Sequence, residues 1–212
     1  PQHPRRLQPR QIPQTLLTSR HRTAPMALLN EFLTDIDFSA IRDYCMANGK
    51  SVTYRKGEYF AEEGCLGRYA GIIASGYFKY AVLNTKGDYS VTGFSFEGEC
   101  VIDFIKSFLS GQPADTSIIA GSDAEVIQCP LDNLRDYIRQ SNPSLIDRAS
   151  KILLNEAYAR YIDIHRKSPT ERYLAMIDTY PDIIRRVTMR DIASYLLVTP
   201  VYLSRIRRKT GK

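Results

Sequence analysis

The sequence predicts an α+β chain in three consecutive parts: a sandwich or barrel of short antiparallel strands, one long helix, and a terminal pair of short helices. Three observations predict it. Residues 54–130 alternate apolar and polar side chains in short runs broken by turn residues. After Pro143 the apolar period lengthens to that of a helix. The closing stretch "VTMRDIASYLLVTPVYLSRIRRKTGK" holds two helix-start signals with apolar residues at helical spacing after each.

The strand region is clearest in "GYFKYAVLNTKGDYSVTGFSFEGE", where large apolar residues alternate with polar ones on either side of a Lys86-Gly87-Asp88 turn. Eight glycines fall between Gly57 and Gly98, the punctuation that many short strands need. Before the strands, Met26 to Ala47 is helical in character. Residues 1–25 hold five prolines, five arginines and no acidic residue, and read as a disordered basic leader or a misplaced start, with a DNA-touching arm as the sharper reading.

Ile146, Ala149, Leu153, Ala157, Tyr161 and Ile164 recur at spacings of three and four, and Leu154, Tyr158 and Ile162 make a second stripe about 100° away. A helix with that much apolar face predicts self-association along 143–165; the alternative is one wide stripe facing a single core. The helix stops at "HRKSPTER". Ser168 is placed to cap the next helix, Pro169 suits its first turn, and Glu171 can reach back to the cap amide. This break sets the domain boundaries: a leader over 1–25, a first domain over 26–142, a dimer helix and hinge over 143–167, and a last domain over 168–212.

In the last domain, Thr188 with Asp191 and Thr199 with Pro200 mark two helix starts. Ala193 is the small residue that lets two steeply crossed helices approach, which is the spacing of a helix-turn-helix. Leu197 stands at the usual turn glycine. Burying Leu203 and Ile206 leaves Thr199, Val201, Tyr202, Ser204, Arg205 and Arg208 on the outer face, a pattern suited to a DNA major groove, with Arg205 able to pair with guanine and Val201 with a thymine methyl. Arg207, Lys209 and the cap hydroxyls suit phosphate. An arginine run that merely offsets the helix dipole is the plain alternative.

Charge agrees with this division. Basic and acidic residues number 11 and 17 over 26–150 but 13 and 6 over 151–212, so a polyanion is drawn to the C-terminal third. Cys45, Cys65, Cys100 and Cys129 stand far apart with no C-x-x-C pair, which suits reduced thiols in a cytoplasm and argues against a metal site. His165 is the only histidine after residue 25, so a cupin-type metal enzyme and a nucleophile–base pair both lack their residues, and the chain reads as a non-enzyme. No apolar run reaches membrane-spanning length.

"RKGEYFAEEG" (55–64), "GIIASGYFKY" (71–80), Gly98-Glu99 and "LLVTPVYLSRIRRK", taken in this order, resemble the cyclic-AMP receptor protein and fumarate–nitrate regulator (Crp/Fnr) family, over roughly residues 30–210. "SFLSGQPADTSIIAGSDAEVI" followed by "TPVYLSRIRRK" is most similar to its Bacteroidetes branch. The resemblance implies a cyclic-nucleotide-binding-like jelly-roll barrel, a dimerisation helix and a winged-helix-like helix-turn-helix domain, any wing strand lying past Lys212. It implies a cytoplasmic homodimeric transcription regulator on an inverted repeat of double-stranded DNA, with RNA polymerase as a further partner. Gly98 and Glu99 fit the family's ribose-side pair, while Asp115 and Thr116 stand where its phosphate-binding Arg-Ser pair belongs. A carboxylate there repels a phosphate, so cyclic AMP is not expected as a cofactor, and the effector is another small molecule or none. A ligand-binding or protein-interaction module with a degenerate helix-turn-helix is the rival reading.

Overall fold

The computed structural model describes Asn30, Ile36 and residues 38–211. The leader, and the start of the helical stretch expected from Met26, lie outside these described residues apart from Asn30 and Ile36. Helix α1 (Ser39–Asn48) leads into β1 (Lys50–Tyr54), β2 (Tyr59–Ala61), β3 (Tyr69–Ser75), β4 (Tyr77–Leu83), β5 (Tyr89–Phe96) and β6 (Cys100–Val101). A π-helical segment, Phe104–Ser110, precedes β7 (Ser117–Ala120) and β8 (Ala124–Pro130). Helices α2 (Leu131–Ser141), α3 (Pro143–Arg166), α4 (Pro169–Thr179), α5 (Ile183–Arg186), α6 (Met189–Tyr195) and α7 (Pro200–Thr210) complete the chain.

The strands form two four-stranded antiparallel sheets, ordered β1-β8-β3-β6 and β2-β7-β4-β5. Phe60, Ile73, Phe78, Val101, Ile118 and Val126 fill the space between them. Tyr54, Phe60 and Phe78 meet there at ring-centroid distances of 5.5–5.8 Å, the range of favourable aromatic packing. The β4–β5 connection is the expected turn: Gly87 takes φ +80°, a conformation closed to most side chains, and Asn84 Oδ1 accepts from the amides of Lys86 and Asp88.

Strand β3 is apolar on both faces because both are covered. Ile73 points into the sandwich, while Ala70 and Ile72 pack under α1, α2 and the start of α3 with Ile41, Cys45, Leu134, Ile138, Leu145 and Ala149. This packing divides the long helix. Ala149 is buried in the monomer and Ile146 and Leu153 lean on the same core, so these three members of the expected stripe serve the sandwich. Past Leu153 the apolar face of the helix opens. Ala157 is exposed, and Leu154 is 69% exposed, Tyr158 64%, Tyr161 58% and Ile164 44%.

The helix break falls where the sequence places it. Lys167 is extended, and Ser168 closes a full capping box: its Oγ accepts from the Glu171 amide and its own amide donates to Glu171 Oε2 at 2.7 Å. The break is not a gap in packing. Tyr173, Met176, Tyr180, Ile183, Ile192 and Leu203 share one apolar cluster with Tyr77, Val91, Phe94 and Phe96 of the sandwich.

Candidate nucleic-acid interface and effector cassette

Helices α6 and α7 form a helix-turn-helix. Thr188 Oγ1 accepts from the Asp191 amide and Thr199 Oγ1 from the Tyr202 amide, so each helix starts at the hydroxyl the sequence marks. Asp191 does not complete a reciprocal box; its carboxylate reaches Lys79 instead. Ala193 is fully buried at the crossing, with Ile192, Leu196, Leu203 and Ile206 around it. Leu197 closes the turn at φ +58°, the one non-glycine with positive φ among the described residues.

The outer face of α7 carries Thr199, Val201, Tyr202, Ser204, Arg205 and Arg208, all exposed. Ser204 Oγ donates to the Pro200 carbonyl at 3.0 Å and keeps its lone pairs for a second partner. Arg205, Arg208 and Lys209 have no acidic partner among the described residues, so their charge is available. Arg207 differs from its expected place: its guanidinium turns inward to Met189 Sδ, and its Nε is buried without a partner.

The helix-turn-helix is held on the edge strand β5. Ser194 Oγ accepts from the Val91 amide, a ladder donor that no neighbouring strand satisfies. Lys79 Nζ meets Asp191 Oδ1 at 2.8 Å in a half-buried setting, Arg186 pairs with Glu97 and lies over the Phe96 ring, and Arg190 meets Asp88 at the surface. From α3, Arg160 donates to Tyr195 Oη at 2.8 Å. Arg172 Nη2 donates to the Leu196 carbonyl and its Nη1 to Lys167, tying the hinge to the turn. Between these groups lies a cleft of about 440 Å³ lined by Arg160, Asp163, Lys167, Arg172, Met176 and Leu197. None of these contacts was legible in the sequence, because Lys79 and Asp191 stand 112 residues apart and no local pattern pairs them.

The candidate effector residues take different surroundings. Gly98, at φ +83°, forms the β5–β6 turn, and the Glu99 carboxylate points into the core, accepting from Asn30 Nδ2 and the Phe96 amide. Its second oxygen is buried without a partner, and burial pushes its pKa up to about 7. Asp115 lies on the surface, paired with Lys106 Nζ at 3.0 Å, and Thr116 beside it is half-buried. Asp103, which sequence reasoning passed over, organises the segment between. It caps the π-helical turn by accepting from the Ser107 amide and hydroxyl, and Ser107 Oγ in turn accepts from Gly67. Arg135 is committed to the carbonyls of Ser107 and Phe108 and to Asp132, while Arg42 Nη2 reaches the Gly98 carbonyl at 3.5 Å.

Comparison with known proteins agrees with this architecture. Residues 51–141 match the family model of the cyclic nucleotide-binding domain. The fold is similar to that of FixK2 from Bradyrhizobium japonicum, with a TM-score of 0.63 and 20% identity over 77% of this chain and 86% of that one. It is also similar to the c-di-GMP responsive global regulator CLP of Xanthomonas campestris, with a TM-score of 0.61 and 15% identity over 82% and 92% of the two chains. A structure from Eubacterium rectale assigned to the crp/fnr family gives a TM-score of 0.59 and 14% identity over 86% and 87%. No curated protein sequence matches the chain. Residues 51–141 are thus a cyclic nucleotide-binding domain. The chain as a whole has the α+β architecture of the Crp/Fnr regulators, a strand sandwich followed by C-terminal helices, without singling out one branch of them.

Proposed function

We propose that the chain is a DNA-binding transcription regulator that acts as a homodimer and reads an inverted repeat through α7. The observation that carries this reading is the outer face of that helix: hydroxyls at its start and unpaired arginines beyond, held outward by a buried Leu203 and Ile206. The open stripe on α3 supplies the dimer face, now drawn as Leu154, Ala157, Tyr158, Tyr161 and Ile164. Its setting is the cytoplasm, and no described helix is long and apolar enough to cross a membrane.

Cyclic AMP is not the effector in this reading. The cassette's Lys106 is already paired with Asp115, its Arg135 is committed to backbone carbonyls and Asp132, Asp103 is buried, and aromatic rings fill the sandwich. Regulation then comes from another small molecule or from protein level alone. RNA polymerase is the partner such a regulator engages. A second reading, a protein-interaction module, draws on one observation: Leu197, Val201 and Tyr202 expose apolar surface on the same face. Arg205→Ala separates them. Loss of sequence-specific binding of a selected duplex supports DNA reading, whereas unchanged affinity for every duplex favours the module.

A further inference from the structure

Helix α1 lies on the sheet through Ile41 and Cys45, and the Cys45 sulfur sits 3.4 Å from that of Cys129 near the end of β8. Both side chains are fully buried, and they come together from positions 84 residues apart. The other two cysteines are elsewhere: Cys65 is exposed, and Cys100 is buried on β6. We propose that Cys45 and Cys129 are a redox-active dithiol that a hydroperoxide converts to a disulfide.

The separation is a thiol–thiol contact, and closing it to a bond of about 2.05 Å takes rotation about the side chains. The two sulfurs are not equivalent. Either sulfur can donate in this contact; with Cys45 as the donor, the hydrogen bond lowers the Cys129 pKa and raises that of Cys45, and in that arrangement Cys129 attacks first. Its sulfur takes the terminal oxygen of the hydroperoxide: an S–O bond forms, the O–O bond breaks, and the alcohol, or water from hydrogen peroxide, leaves with the thiol proton. Cys45 then attacks the sulfenic sulfur; the S–S bond forms, the S–O bond breaks, and hydroxide departs with the Cys45 proton as water.

Access comes through α1. It has only ten residues, its N-cap Phe38 makes no side-chain hydrogen bond, and its outward residues Arg42, Asp43, Met46 and Ala47 are exposed. Admitting the hydroperoxide takes a local opening of α1 against the buried Ile41 and Cys45 and the Tyr44–Tyr137 ring contact at 4.6 Å. Cys100 is the less reactive neighbour, its thiol pushed up to about 12 by burial. The disulfide ties α1 to the strand that runs through Pro130 directly into α2 and on to α3.

The test treats the reduced full-length protein with hydrogen peroxide, blocks remaining thiols, and maps peptides without reduction. The expected result is a loss of about 2 Da, one peptide pair linking Cys45 to Cys129, and reversal by dithiothreitol. Cys45→Ser and Cys45→Ala each leave a sulfenic acid at Cys129, trapped by dimedone. The proposal is overturned if both thiols stay alkylatable while exposed Cys65 oxidises, or if the linked pair contains Cys100 or Cys65.

Discussion

Leu197 holds a left-handed backbone that costs a β-carbon-bearing residue roughly 1 kcal/mol, and its side chain, 61% exposed, recovers little of that by burial. Leu197→Gly is therefore expected to raise the melting temperature by a few degrees, checked by thermal denaturation; a lower one would mean that the side chain is held by a contact with a partner. Glu99 sets a pH dependence. Its folded pKa of about 7 lies above the ordinary 4.5, so between these values the folded chain keeps a proton the unfolded chain gives up. Its contribution falls as pH rises through that window, by roughly 3 kcal/mol in all. Glu99→Gln should leave stability at pH 5 nearly unchanged and raise it at pH 8, as urea titrations at the two pH values would read. The outer residues of α7 were legible in the sequence because a 3.6-residue period is local information. Glu99 was not, since its burial depends on Asn30, 69 residues away.

At the scale of elements, the contacts that dock the helix-turn-helix differ in worth. Lys79 and Asp191 are 20% and 12% exposed, and Lys79→Ala leaves a carboxylate in that setting without its cation, costing about 2 kcal/mol. Arg190 and Asp88 face water, and Arg190→Ala should change stability by less than about 0.5 kcal/mol. Chemical denaturation of the two variants side by side checks the order. For α3, Tyr158→Glu places a charge in the open stripe and should shift the protein from two chains to one in sedimentation; an unchanged mass would put the dimer face elsewhere. Periodicity marked α3 and its break at Lys167 correctly, since caps and apolar spacing are sequence-near signals. It could not say which part of that apolar stripe the monomer covers. For that reason Ile146, Ala149 and Leu153 counted toward a dimer face although they belong to the monomer core.

Across the whole molecule, the docked helix-turn-helix, the hinge and the cleft between them form one connected body, joined by Arg160, Arg172 and the shared apolar cluster. In the proposed dimer, a ligand that fitted the cleft better in one arrangement than another would shift the spacing of the two α7 helices, and that differential affinity is all the coupling would require. The sandwich was expected from short strands and glycine punctuation. Its mutual contact with the C-terminal helices was not, because exposed and docked faces look alike in a single sequence.

The most direct measurement is selection from random duplex DNA by the purified protein at near-physiological salt, with sequencing of the enriched pool. The account predicts an inverted repeat with half-site centres about one helical turn apart, lost on Arg205→Ala. Recovery of no motif, with binding that only fades as salt rises, would contradict it and leave phosphate attraction alone.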